Sequence, residues 1–235
     1  MAQFTITGEY DPLLHVRLEP NESIYCETDA MVSMETSLDL GGSLQGGLAR
    51  SFMRKFTQGE SFFQQSIKAS KSAGECLLAP TLPGGLSVLE VGPVQYSLAD
   101  GTFLCATANV SLKTKMQNVS NSLFGKTGGY LIAQTSGEGQ VVVSGFGSLT
   151  ELEVTPDSDI LVDNGHVVCW DSRLSSKVTI RTSESAGLIE TLINSQTSGE
   201  GLLLRFSGTG KVVICSRNRE SFLEHLKKEL LEPPK

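Results

Sequence analysis

No stretch of this chain approaches the roughly eighteen consecutive apolar residues that a membrane-spanning helix requires. The start, MAQFTITGEYDPLL, has no basic segment leading into an apolar one, so no secretory signal peptide is expected. It also lacks the Arg-rich, acid-poor character of a mitochondrial presequence. The cysteines, Cys26, Cys76, Cys105, Cys169 and Cys215, are odd in number, widely spaced and without a C-x-x-C pair. That argues against a disulfide framework or a Cys-rich zinc site and predicts free thiols in a reducing compartment. The cytoplasm is the expected location, with the mitochondrion as the alternative. A basic excess is missing too. The net charge of −7 argues against a nucleic-acid partner, since phosphate contacts need clustered Lys and Arg. Histidine is scarce: His15, His166 and His225 fall at non-equivalent places in the pattern described below, too few to build a metal site on neighbouring strands. No metal or cofactor is expected.

What the chain does have is glycine, 24 of 235 residues, with 39% hydrophobic and only 19% charged residues. Many glycines and few charges suit short strands joined by tight turns. Self-similarity is visible on inspection. Ser-Ala-Gly-Glu at Ser72 recurs as Thr-Ser-Gly-Glu at Thr135 and again at Thr197, so the glycines at 74, 137 and 199 are spaced by 63 and 62. Each Gly-Glu precedes an apolar run and a second glycine turn, and then a strand such as LSVLEV at Leu86 or LTELEV at Leu149. LHVRLEP at Leu14 is the looser third member, and Pro20, Pro93 and Pro156 close these strands. Turns at Asp29-Ala30, Asp100-Gly101 and Asn164-Gly165 lead into strands rich in β-branched, aromatic and sulfur side chains. The expectation is a single all-β domain of three tandem β-units, at about 8–85, 86–148 and 149–215. The first is enlarged by a segment in which Leu48, Phe52 and Phe56 predict a short amphipathic helix. A C-terminal helix is expected over 218–231, started near Asn218, stopped by Pro233, with Phe222, Leu226 and Leu230 on one face.

Four segments carry a family resemblance: GGLARSFMRKFTQGESFF at Gly46, AGECLLAPTLPGGLSVLEV at Ala73, ILVDNGHVVCWD at Ile160 and FSGTGKVVICSRN at Phe206. In this order, and over roughly residues 8 to 218, they resemble the altered-inheritance-of-mitochondria protein 24 family, whose bacterial members are mostly a domain of unknown function. The resemblance implies a fold like that of the tryptophan RNA-binding attenuation protein, with three β-units about a pseudo-threefold axis. It brings no catalytic residues with it. For eukaryotic members it implies a mitochondrial role associated with inner-membrane organisation.

The remaining motifs carry no reaction chemistry. Ser207 to Lys211 and Phe124 to Gly129 look like phosphate loops but lack the first glycine and the following helix, and read as turns. No G-x-S-x-G stands at a strand-to-helix turn. Cys105 and Cys169 share a repeat position with Ser33 and read as small core residues. The next positions, Met34, Ala106 and Trp170, are candidates to fill the centre of the three-unit body jointly. A local basic group stands out against the acidic total: Arg50, Arg54, Lys55, Lys68 and Lys71, beside Phe52, Phe62 and Phe63. These eight are the candidate partner surface, suited to anionic lipid headgroups. The sequence reads as a non-enzymatic scaffold or assembly protein that self-associates or binds protein partners. The alternative is a ligand- or RNA-binding β module. Function is expected where the repeat breaks, at 43–71 and 218–231.

Overall fold

The computed structural model describes residues 2–42, 64–117, 130–179 and 203–231. After a first strand, β1 (Gln3–Thr7), eighteen further strands fall into three runs of six among the described residues. The first run is β2 (Leu13–Leu18), β3 (Ser23–Glu27), β4 (Met31–Met34), β5 (Asp39–Gly42), β6 (Gln64–Lys68) and β7 (Gly74–Leu78). The second is β8 (Gly84–Val91), β9 (Tyr96–Ala99), β10 (Phe103–Thr107), β11 (Val110–Gln117), β12 (Tyr130–Gly137) and β13 (Gly139–Phe146). The third is β14 (Leu149–Val154), β15 (Ile160–Asp163), β16 (Val167–Asp171), β17 (Ser175–Thr179), β18 (Leu203–Ser207) and β19 (Gly210–Cys215). Helix α1 (Arg219–Leu231) follows. The chain is mostly β, in antiparallel sheets.

Strand pairing repeats with the runs. In each, the first strand pairs the sixth and the sixth pairs the third: β2-β7-β4, β8-β13-β10 and β14-β19-β16. The other three strands form β5-β6-β3, β11-β12-β9 and β17-β18-β15. Neighbouring runs are then sewn together, because β3 pairs with β10 and β9 pairs with β16. The result is a four-stranded sheet I (β1-β2-β7-β4), two six-stranded sheets II (β5-β6-β3-β10-β13-β8) and III (β11-β12-β9-β16-β19-β14), and a three-stranded sheet IV (β15-β18-β17).

Three apolar layers hold these sheets. Leu14, Val16 and Leu78 of sheet I pack with Ile24, Cys26 and Val142 of sheet II. Tyr25, Val141 and Val143 of sheet II pack with Leu98, Val110 and Val168 of sheet III. Trp170 and Val212 of sheet III pack with Leu204 and Phe206 of sheet IV. Sheets II and III are thus buried on both faces, which explains why β10 and β16 are buried at all five positions rather than alternating. At the outer sheet I, β2 alternates between buried and more accessible positions from Leu14 to Leu18, as a half-covered strand should.

The register corrects the glycine alignment read from sequence. Leu18 pairs with Gly74, Val91 with Gly139 and Val154 with Gly210. Gly74, Gly139 and Gly210 are therefore the equivalent strand openers, whereas Gly137 ends β12 with a φ of +100°. The Gly-Glu likeness links the opening of β7 to the non-equivalent turn between β12 and β13; Gly199 lies outside the described residues. The proline positions do mark equivalent places, each two residues past the end of β2, β8 or β14. Asp29 (φ +67°) and Gly101 (φ +70°) take the left-handed conformation before β4 and β10. The third such turn is a short 3-10 turn at Asn164–His166, closed by Gly165 N–H donating to Asp163 Oδ1 at 2.8 Å. Helix α1 starts where Asn218 accepts from Ser221 N–H at 3.1 Å, an N-cap. The helix expected around Leu48, Phe52 and Phe56 lies outside the described residues.

Candidate interaction surface

Of the expected basic surface, Arg50, Phe52, Arg54, Lys55, Phe62 and Phe63 lie outside the described residues. Lys68 is exposed on β6, in register with Ser23 and Asp39. The Lys71 ammonium donates to the Thr36 carbonyl at 3.0 Å and sits 3.8 Å from Asp39 Oδ1. Its charge is partly spent within the first unit.

Met34, Ala106 and Trp170 do occupy equivalent places: they pair with Cys76, Val141 and Val212. Each follows a register shift, between Met31 and Ser33, Phe103 and Cys105, and Val167 and Cys169. Such a bulge turns two successive side chains toward one face. The three residues do not share a centre, however. Met34 packs on the first layer, Ala106 lies in the second and Trp170 in the third. The reason is the sewing of units: Ala106 and Trp170 lie on strands paired with the preceding unit, whereas β4, which carries Met34, pairs only with β7 among the described residues. Ala106 is opposite Tyr25, and Trp170 is opposite Ser97. A small residue meets a large one at both junctions. Tyr25 fills the space beside Ala106, stacks on Phe103 with centroids 5.5 Å apart, and donates its hydroxyl to the Val110 carbonyl at 2.7 Å. Trp170 fills the space beside Ser97 and tilts against Phe206, centroids again 5.5 Å apart. Tyr25 and Ser97 escape a reading of sequence because their partners lie in another unit; size complementarity at matched repeat positions is the signal that would have found them.

All five cysteines are free and buried. Burial pushes the Cys26 and Cys76 thiols up to about 12, and Cys105, Cys169 and Cys215 upward as well, which favours the protonated thiol. His15 Nε2 meets Glu75 Oε2 at 2.9 Å, with Arg17 3.9 Å from the other oxygen. Glu75, on β7, thus sits in a surface ion pair, and Glu138 lies in the turn between β12 and β13. His166 Nδ1 donates to the Cys215 carbonyl at 2.8 Å. Ser207 to Lys211 spans the tight turn from β18 into β19. Among the described residues no group of His, Cys, Asp and Glu is arranged to hold a metal ion, and no helix is long and apolar enough to cross a membrane.

Helix α1 is the outlying element. None of its residues is buried. Its base is held by Phe222 against Phe146, with centroids 5.1 Å apart. Farther on, Leu230 and Leu231 are 79% and 78% exposed, and Leu223 is exposed as well.

Comparison with known proteins bears on this arrangement. A protein of Streptococcus pyogenes serotype M6, itself described as uncharacterized, is 32% identical over 97% of this chain and 91% of its own length. A crystal structure of a Streptococcus pyogenes protein superposes with a TM-score of 0.79 at 30% identity, covering 98% of this chain and all of that one. The family model described as mitochondrial biogenesis AIM24 matches residues 4–217, which spans every strand from β2 to β19 and stops just short of the helix. With a match over nearly the whole β body, the chain belongs to the mitochondrial biogenesis AIM24 family.

Proposed function

We propose that this chain is a non-enzymatic scaffold or assembly protein whose C-terminal helix docks a protein partner. The carrying observation is that α1 leaves the β body with Leu223, Leu230 and Leu231 exposed, although each exposed apolar side chain forgoes the stabilisation of burial. Its charges balance, with Arg219, Lys227 and Lys228 against Glu220, Glu224 and Glu229. A balanced helix suits a protein groove better than an anionic membrane, which rewards a basic face. An assembly role also accommodates the mitochondrial biogenesis named in the family description.

The test is a Leu223→Glu/Leu230→Glu variant compared with the unaltered chain in affinity capture from cells of the source organism, read by quantitative mass spectrometry. The expected outcome is loss of a partner at unchanged thermal stability. An unchanged set of captured proteins argues against the proposal. So does a large fall in melting temperature, which makes the helix a cap on the β body.

A further inference from the structure

The pairing that sews the units together occurs twice, and its third instance is missing. β3 pairs β10 and β9 pairs β16, but β15 and β4 each pair on one side only among the described residues, with β18 and β7. They are the two halves of one more junction. The register of the formed junctions sets Cys26, Leu98 and Val162 as equivalents, and likewise Cys105, Cys169 and Ser33. A third junction would place Ser33 opposite Val162, Met34 opposite Leu161 and Glu35 opposite Ile160.

Burial shows what each edge lacks. Leu104 and Val168, the residues just after Phe103 and Val167 in the bulges of β10 and β16, are fully buried at 0% exposure; their equivalent Val32 is 56% exposed. Tyr25 and Ser97 are 1% and 8% exposed; their equivalent Leu161 is 58% exposed. Insertion at a formed junction is reciprocal: Leu104 enters the layer of the preceding unit, and Tyr25 enters that of the following one. The sizes also match. Where the formed junctions set Tyr against Ala and Ser against Trp, the open one sets Leu161 against Met34, two side chains of middle volume. Neither edge has the lysine or proline that blunts a free strand, and the β4 bulge is shared with the paired strands β10 and β16, so it is no edge guard.

We infer that β4 of one copy of this chain pairs antiparallel with β15 of a second copy, Leu161 of one covering Met34 of the other and Val32 entering the layer around Phe206. The occupant is a second copy because the complementary edge, in register and in volume, is the chain's own, and within one chain the two edges are not paired. This deepens the assembly reading but rests on strands remote in sequence from α1, so the two can fail separately.

Sedimentation velocity of the full chain and of Val32→Asp and Leu161→Asp variants tests it. The unaltered chain is expected at two or more times its 25.2 kDa mass, and each variant as a single folded chain, since both positions are more than half exposed. A mixture of Met34→Cys and Leu161→Cys chains should form a disulfide dimer under mild oxidation; the unaltered chain, whose cysteines are all buried, should not. A single-chain mass for the unaltered protein overturns the inference. So does a disulfide confined within one chain in the doubly substituted protein, which would show β15 closing on its own β4. A single-chain mass for the unaltered protein with partner capture by α1 intact leaves the proposed function standing alone. An unchanged set of captured proteins in the helix variant, with the larger mass of the unaltered chain intact, leaves the strand pairing standing alone.

Discussion

Trp170 can be picked out as an interior residue from its place after Cys169 in a strand of apolar side chains. What surrounds it cannot, because Ser97 and Phe206 come from strands 73 residues earlier and 36 later. Buried to 3% exposure, it packs against Phe206 within the third apolar layer. Trp170→Ala is therefore expected to cost about 3–5 kcal/mol in urea unfolding, whereas Leu161→Ala, half out in solvent, should cost well under about 1 kcal/mol in the isolated chain. The thiols give a second expectation at this scale. Burial raises Cys26 and Cys76 from 9.0 to about 12, so the unfolded chain ionises them first as pH rises. Stability tied to them is complete below about pH 9 and falls between 9 and 12. Equilibrium unfolding followed across that range should show the fall, and Cys26→Ala should flatten it.

At the scale of elements, alternation and proline placement were legible and register was not. LHVRLEP, LSVLEV and LTELEV announce β2, β8 and β14 because each covers one face of a core and ends at a proline two residues on. The Gly-Glu pairs misled by two residues in the second unit and by eleven in the third. A turn's composition reports its backbone conformation, while strand equivalence is set by cross-strand partners that no local window contains. One glycine is required by approach rather than by turn type. A Cβ on Gly84 would lie 1.9 Å from the Gly145 carbonyl oxygen and 2.6 Å from the Gly147 nitrogen, both backbone atoms that cannot rotate away. Gly84→Ala is expected to lose roughly 3 kcal/mol, measured as a lower urea midpoint. The same change at Gly92, where nothing lies within 4 Å, should be near neutral. Helix α1 was legible from Asn218 and its spaced apolar residues, but not its exposure, since the same stripe would serve to cap the β body.

For the whole molecule, the composition pointed to sheets and the repeat to three units, but neither revealed that two of the four sheets are each shared between units. Because β3 completes its sheet only with β10, a chain ending after Leu78 is expected to stay largely unfolded by circular dichroism, although it holds every strand of the first unit. The sharing also sets an order of events during synthesis. The Tyr25 hydroxyl finds its carbonyl 85 residues downstream, so the first unit leaves the ribosome with its central strand unsatisfied and must wait for the second. The second must wait for the third in the same way. Folding should accordingly be slow for a chain of this size, reaching completion only after the last strands appear. Until then each nascent unit offers a neighbouring nascent chain the same edge that it reserves for its own successor, which makes translation rate and chaperone supply determinants of yield.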